Sequence, residues 1–214
     1  MASRKGTLSE LQLALASSFF RQTSGFFLTG GAVLAGWELA HRTTDDLDLF
    51  TETDEAMASG DSALRRAVAE LEGTLESITT APDFRRYVAT VRGQSVKVDL
   101  VRDRVAQLLP KVEREGLRMD SAAEIFVNKI CTLVERSEIR DVVDLMMLER
   151  TGMTVEASLP LAQRKDAGVT PAVLAWLLGS LIIPATVPGT APREEVVRFV
   201  RELEQRMLRL APPK

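Results

Sequence analysis

The segment from Phe26 to Phe50 constrains the fold of this chain more than any other. An apolar run, FFL, leads into the pair Gly30-Gly31. The next segment, AVLAGWELAH, has the spacing of a helix, and DLDLF alternates acidic and apolar residues as a strand does. The sequence therefore predicts a short buried strand, a glycine turn into a helix, and a second strand that carries Asp46 and Asp48.

Asp46 and Asp48 are two residues apart, so both carboxylates point to one face of the predicted strand. Adjacent carboxylates repel each other, and a bound divalent cation would remove that repulsion and bridge phosphate oxygens. Gly30 and Gly31 suit the same ligand, because a backbone without Cβ atoms lets N–H groups and a helix N-terminus approach a phosphate. The alternative is a surface turn and a strand whose acids face water. The combination of the two motifs favours the phosphate and metal site.

The residue inventory limits which metal such a site could hold. Cys131 is the one cysteine and His41 the one histidine of the sequence, which excludes an internal disulfide, a thiolate zinc site and a histidine-rich site. Ligands must then be mostly carboxylate oxygens, which favour Mg²⁺ or Mn²⁺. Seven acidic residues stand against one basic residue between positions 41 and 61. This acidic stretch suits a metal site for a phosphorylated substrate.

The apolar pattern of the sequence indicates the cellular compartment. No apolar run reaches the length of a transmembrane helix, and the N-terminal segment MASRKGTLSE lacks the apolar stretch of a signal peptide. The net charge of −3 does not indicate a nucleic-acid-binding protein. We therefore expect a cytoplasmic protein that does not interact with membranes.

Helix and turn signals divide the chain into an α+β part, residues 1–119, and a helical part, residues 120–214. Thr7 and Glu10 have capping-box spacing and predict a helix to about Gln22. Residues 51–60 read as loop, and a helix is predicted to begin at Asp61 or Ser62 and to include DSALRRAVAELEGTL. Gly93-Gln94 separates two alternating runs and predicts a hairpin.

The second part contains strong helix-start signals. Ser121 and Glu124 form a second capping box, and Thr170-Pro171 places a cap before a proline at the first helical position. REGLRMDS is a candidate short strand before this part. A kink is expected near Ser137, and the final helix carries an apolar face. That face comprises Val196, Val200, Leu203, Met207 and Leu210.

The stretch from Gly30 to Phe50 resembles the nucleotidyltransferase superfamily, in which a glycine pair or Gly-Ser precedes a helix and Asp-x-Asp. It is most similar to the AbiEii/AbiGii toxin branch, which includes the MenT-type toxins that modify transfer RNA. The matching residues are Gly30-Gly31, Arg42-Thr43-Thr44 and the run Asp46-Leu47-Asp48-Leu49-Phe50. The resemblance implies a mixed sheet flanked by helices, followed by a C-terminal helical bundle. Gly31 departs from the serine of many members, which removes a hydroxyl contact to phosphate.

The resemblance also implies roles for single residues. Asp46, Asp48, Lys129 and Asp141 are expected to be catalytic; Gly30, Gly31, Arg42, Thr44 and Lys129 to bind nucleotide; and Asp46, Asp48 and Asp99 to bind metal.

Three of these residues have plain structural alternatives. Asp99 could equally lie on the exposed face of a hairpin, and Lys129 could extend its stem along the edge of the core. Asp141 comes after the helical lysine, as in the branch, and Arg136 or Arg140 would then approach phosphates. The structural alternative at this segment is an ordinary helix-surface ion pair between Arg140 and Asp144, which are four residues apart.

Outside the motifs, three side chains are given structural roles. Lys165 is expected to be solvated, with nucleotide contact as a minor alternative. Trp37 and Trp176 are expected in the core, because both fall within apolar helical patterns.

The resulting functional hypothesis is metal-dependent transfer of NMP from an NTP, with Mg²⁺ or Mn²⁺ as cofactor. By resemblance the acceptor is the 3′ end of transfer RNA, and the protein is a toxin of a toxin–antitoxin or phage-defence system with a cognate antitoxin. One alternative is transfer to a protein hydroxyl or a small molecule. Another is a degenerate member that binds a nucleotide or a partner without turnover.

Overall fold

A mixed sheet followed by a helical region confirms the α+β class. The computed structural model describes residues 8–36 and 44–211. The chain divides into two units, Met1–Ala122 and Ala123–Lys214, where the sequence places the boundary after residue 119. Among the described residues, no helix is long and apolar enough to cross a membrane.

The described residues form eight helices and seven strands. The helices are α1 (Glu10–Gln22), α2 (Gly30–Gly36), α3 (Asp54–Glu70), α4 (Ala122–Glu135), α5 (Ile139–Glu149), α6 (Val155–Lys165), α7 (Pro171–Ser180) and α8 (Arg193–Leu210). The strands are β1 (Phe27–Thr29), β2 (Asp46–Thr51), β3 (Thr74–Thr80), β4 (Phe84–Val91), β5 (Gln94–Arg102), β6 (Val112–Arg114) and β7 (Leu117–Met119).

All seven strands belong to one sheet in the order β3-β4-β5-β2-β1-β7-β6. The central strand β2 pairs in parallel with β5 and antiparallel with β1, and β1 pairs in parallel with β7. β4 and β5 form the expected hairpin, whose two turn residues, Arg92 and Gly93, both have positive φ. This is the backbone that a two-residue hairpin turn requires.

Helices α1 and α3 pack against each other and cover one face of this sheet. Gly60 of α3 lies so close to that face that a Cβ atom would be 2.7 Å from Phe26 and 3.1 Å from Leu100. Leu100 pairs in register with Leu49, and both are buried. The acids of β2 alternate with these leucines, so they lie on the opposite face, which we call the acidic face.

Two sequence predictions in this unit are wrong. Residues 51–60 are not all loop, because Thr53 caps α3 by accepting a hydrogen bond from the Ala56 N–H at 3.2 Å, eight residues before the predicted start. The same helix ends at Glu70, and Thr74–Thr80 forms the edge strand β3 instead of continuing it. The capping box of α1 comprises Ser9 and Gln12, and Thr7 lies outside the described residues.

The second unit begins within the first turn of α4. Thr170 accepts a hydrogen bond from the Val173 N–H at 3.2 Å, and Pro171 opens α7, as the sequence predicts. The break between α4 and α5 falls at Ser137, whose φ is +49°. Trp176 is 70% exposed, so its predicted core position is wrong. On the apolar face of α8, Leu210 is 47% exposed, and Phe199 is buried with the other residues of this face. Trp37 lies outside the described residues.

Candidate active site

Asp46 and Asp48 lie on the acidic face at the centre of the sheet. Leu47, Leu49 and Thr51 are buried on the other face, whereas the residues that alternate with them are half-buried. Alternation of this kind is what a strand produces when one face packs on helices. The two carboxylates therefore share one face, as their spacing predicts.

Gly30 lies directly against Asp48. Thr29 pairs in register with Asp48 across β1 and β2, and the chain then turns into α2 with a φ of +67° at Gly30. A Cβ atom at Gly30 would be 2.4 Å from Asp48 Oδ2, closer than two such atoms can be. The backbone angle favours glycine here, and any side chain would have to displace the Asp48 carboxylate. Gly31 follows as the second residue of α2.

One carboxylate oxygen of Asp46, Oδ1, is buried and has no hydrogen-bond partner among the described residues. Lys97, its neighbour in register on β5, places its Nζ 3.9 Å from this oxygen, beyond hydrogen-bonding distance. A buried carboxylate oxygen without a donor favours a cation as its partner.

Asp99 shares the acidic face with Asp48 but is already bound to an arginine. Asp48 and Asp99 are directly paired across the parallel strands β2 and β5. Arg86, opposite Asp99 on β4, donates from Nε to Oδ1 at 2.8 Å and from Nη2 to Oδ2 at 2.7 Å. Asp99 is 5% exposed, so this two-pronged ion pair offsets the desolvation of its charge.

The pairing across four strands forms a polar row on the acidic face: Arg86, Asp99, Asp48 and Thr29. The pKa of Arg86 is raised above its usual value, first by Asp99 and further by the charges of Asp46 and Asp48. The guanidinium therefore belongs to the electrostatic environment of the whole acid pair.

A buried network supports the Thr29 end of the row. Thr29 donates to Asp120 Oδ2 at 2.6 Å, and Lys111 donates to Asp120 Oδ1 at 2.5 Å. The Asp120 N–H donates to the Leu28 carbonyl at 3.0 Å, and the Lys111 ammonium lies 3.6 Å from the centre of the Phe27 ring. These contacts fix the end of β1 immediately before Gly30.

Thr44, a predicted nucleotide-binding residue, lies just before β2. Its hydroxyl donates to the Asp46 carbonyl at 3.4 Å, and the Gln12 side chain donates to the Thr44 carbonyl at 2.8 Å. Gln12 therefore connects the first turn of α1 to the segment that precedes the acid pair. Arg42 lies outside the described residues.

Lys129 and Asp141 meet in the second unit. Lys129 Nζ lies 2.7 Å from Asp141 Oδ1 and 2.6 Å from Asp144 Oδ2, and all three side chains are buried. Arg136 donates from Nε to Asp141 Oδ2 at 2.9 Å. Burial raises the pKa of Asp141, but Arg136 and Lys129 outweigh this effect and hold it below its usual value. Asp141 is therefore a carboxylate with two cationic partners.

Two structural expectations in this unit are wrong. Arg140 pairs with Glu138 at 2.5 Å and not with Asp144, which is fully buried beside Lys129. Lys165 is not solvated, because its side chain is 2% exposed and pairs with the buried Glu124 at 2.5 Å. Both misassignments arise because helical spacing does not show which residues of other helices come close.

The predicted site residues therefore form two groups, one in each unit. Gly30, Asp46, Asp48 and Asp99 lie together on the sheet, and Lys129 lies with Asp141 between α4 and α5. Among the described residues, no three histidine, cysteine or acidic side chains are arranged to hold a metal ion together. Sequence reasoning missed Arg86, and the signal that points to it is the strand register, which places it beside Asp99.

The comparison with protein families identifies the family of this chain. The family described as "Nucleotidyl transferase AbiEii toxin, Type IV TA system" matches residues 13–210. The chain is a member of the AbiEii family. This membership confirms the resemblance seen at Gly30–Phe50 and identifies a nucleotidyltransferase toxin family of a type IV toxin–antitoxin system.

Two solved structures from Helicobacter pylori are similar to this chain. JHP933 has a TM-score of 0.55 and 19% identity, over 95% of this AbiEii chain and 96% of its own. A second protein, described as a candidate nucleotidyltransferase, has a TM-score of 0.45 and 14% identity, over 96% and 100%. No curated protein matches this chain. At such identity the likeness to JHP933 shows a shared fold.

Proposed function

We propose that this AbiEii chain is a metal-dependent nucleotidyltransferase that transfers NMP from an NTP and releases pyrophosphate. The observation that carries the proposal is the close approach of Gly30 to Asp48, with Asp46 on the same strand face. The positive φ of Gly30 brings the backbone of the turn to the acid pair. A triphosphate and its cation need these two features side by side.

The residues present fit a divalent cation. Asp46 offers a buried oxygen that lacks a donor among the described residues, and Asp48 presents its carboxylate beside the glycine turn. Carboxylate oxygens are the ligands that Mg²⁺ and Mn²⁺ prefer. When bound, such an ion would lower the pKa of an attacking hydroxyl and neutralise charge on the departing pyrophosphate.

We assign the triphosphate to the turn of Gly30 and Gly31, and by the resemblance we treat Lys129 of the second unit as a phosphate-binding residue. The backbone N–H groups of the glycine turn would donate to phosphate oxygens, because a turn without side chains permits close approach. An ammonium has three N–H donors, and the described contacts of Lys129 engage two of them with Asp141 and Asp144. The resemblance implies that the third donor contacts a phosphate. Asp141 would keep Lys129 charged and oriented.

The proposed acceptor is the 3′ end of transfer RNA, and the proposed partner is a cognate antitoxin. Membership of a toxin family of a type IV system supports a growth-inhibiting target and an antitoxin. The transfer-RNA acceptor rests on the resemblance of Gly30–Phe50 to toxins that modify transfer RNA. Modification of that end would block aminoacylation and arrest growth.

Incubation of the purified protein with each α-labelled NTP, Mg²⁺ and total RNA or total protein tests the proposal. We expect label in the transfer-RNA band for the natural chain and at least a ~100-fold lower rate for Asp48→Asn, since metal ligands supply several kcal/mol to such reactions. Asp45→Asn is the matched control, because Asp45 is exposed and directly precedes β2. It should retain the full rate.

The outcomes separate the alternatives. Label in protein or in a small-molecule fraction would replace transfer RNA as the acceptor and keep the chemistry. Equal rates for Asp48→Asn and the natural chain would reject the metal assignment. Mg²⁺-dependent NTP binding without any label transfer would indicate a binding protein instead of an enzyme.

A further inference from the structure

Asp99 is the acid next to Asp48 across the sheet, yet both of its oxygens already accept hydrogen bonds. Arg86 holds them in a two-pronged contact at 2.8 and 2.7 Å. The carboxylate is 5% exposed, and 41% of the Arg86 side chain is exposed. Asp99 is therefore a buried carboxylate whose two oxygens both accept hydrogen bonds from one guanidinium.

The position of Arg86 matters because of the strand register. Arg86, Asp99 and Asp48 are successive partners across β4, β5 and β2. The charges of Asp46 and Asp48 raise the pKa of Arg86 in addition to the effect of Asp99. Its positive charge therefore acts on the acid pair as well as on its direct partner.

We propose that Arg86 takes the place of a second divalent cation in this site, so that the chain binds one ion, at Asp46 and Asp48. A guanidinium spread over both oxygens of Asp99 leaves this carboxylate neutralised and repels a divalent ion from it. The exposed part of Arg86 then supplies, beside Asp48, positive charge for the polyphosphate. Asp99 is a positioning residue that holds Arg86 and is not a metal ligand, which departs from the sequence expectation.

The inference rests on the proposed function, since it specifies how the same site balances its charge. Its test uses metal binding without nucleotide, so that its failure is separate from a failure of catalysis. The full chain is titrated with Mn²⁺, and free Mn²⁺ is followed by its electron paramagnetic resonance signal. The variants are Asp48→Asn, Asp99→Asn, Arg86→Gln and the double variant Arg86→Gln/Asp99→Asn.

We expect one Mn²⁺ per natural chain and a loss of affinity on the order of tenfold or more for Asp48→Asn, because a charged ligand is removed. Asp99→Asn should retain one site and lose less affinity than Asp48→Asn, because it removes a nearby negative charge but no ligand. Arg86→Gln should gain a second Mn²⁺ site or bind the first more tightly, because Asp99 is then unpaired beside Asp48.

The double variant controls for folding, because Arg86→Gln leaves a buried charge without its partner and the double variant removes both charges. It should bind one Mn²⁺ like the natural chain, and circular dichroism should show the same fold. An affinity loss for Asp99→Asn as large as for Asp48→Asn, or two sites in the natural chain, would overturn the inference. Unchanged binding by Asp48→Asn would instead reject the metal site of the proposed function.

Discussion

Gly30 and Asp48 show how single residues define the candidate site. Gly30 adopts a φ of +67° and leaves no room for a Cβ atom beside the Asp48 carboxylate. The spacing of Asp46 and Asp48 made their common face predictable, since strand periodicity is two. The contact between Arg86 and Asp99 was not predictable, because it depends on the register of two strands whose partners are 13 residues apart.

Gly30→Ala should lower the free energy of unfolding by more than the ~1–2 kcal/mol that a left-handed backbone costs an alanine. The excess arises because the new Cβ atom displaces Asp48, so nucleotide transfer should also be lost. Urea denaturation and the labelled-NTP assay measure the two effects.

Gly116→Ala is the matched control for this substitution. Gly116 has a φ of +75°, but a Cβ atom there would meet nothing within 4 Å. It should show the backbone cost and retain nucleotide transfer. Equal losses of activity in both variants would contradict the role of Gly30 as the neighbour of Asp48.

At the scale of elements, cap residues and local periodicity predicted more than tertiary pairing did. Thr170-Pro171 was sufficient to place the start of α7, because a cap acts on its own first turn. The start of α3 was missed, since Thr53, Asp54 and Glu55 form a polar run that resembles a loop. The edge strand β3 was missed because its side chains are mostly exposed and show no apolar alternation.

Thr53→Ala should destabilise the protein by ~1 kcal/mol, the usual cost of losing a side-chain cap. Thr53→Ser keeps the hydroxyl and should cost much less. Thermal unfolding of the two variants checks this prediction, and equal melting temperatures for both would show that the cap does not hold α3.

The Lys165–Glu124 ion pair connects α6 to α4 in the buried part of the second unit. Lys165→Met should cost ~3–5 kcal/mol, because it removes the cation that lies 2.5 Å from the buried Glu124 carboxylate. The double variant Lys165→Met/Glu124→Leu should recover much of that loss. If Lys165→Met alone changed unfolding by less than about 1 kcal/mol, the charge on Glu124 would not depend on this partner.

At the scale of the whole molecule, the α+β class and the AbiEii family followed from the sequence, since both depend on patterns local to the chain. The acid pair lies in the first unit and the Lys129 cluster lies in the second. The sequence motifs identified the residues of each group. It could not show that Lys129 lies between two buried carboxylates, because Asp141 and Asp144 come from the next helix.

Acid should destabilise both units. The pKa of Asp61 is held below its usual value by the hydrogen bond from Arg65, that of Glu156 by Arg206, and that of Asp141 by Arg136 and Lys129 against the effect of burial. A carboxyl whose pKa is lowered on folding stabilises the protein above its unfolded pKa and loses this effect as the pH falls through the folded pKa. The free energy of unfolding should therefore fall below about pH 4.

Urea denaturation at pH 7, 5 and 3.5 measures this dependence. Asp141→Asn should be less stable at pH 7 and should show a shallower decline, since it lacks one of the titrating groups. Equal stability of the natural chain at pH 7 and pH 3.5 would contradict the assigned pKa directions.

The central claim is that Asp46 and Asp48 hold a divalent cation against a triphosphate at the Gly30 turn. Calorimetric titration with a non-hydrolysable NTP, in Mg²⁺ and in EDTA, tests it most directly. The account predicts binding that requires Mg²⁺, disappears in Asp46→Asn/Asp48→Asn and persists in the control Asp45→Asn. Equally tight NTP binding in EDTA, or in the double variant with Mg²⁺, would contradict it.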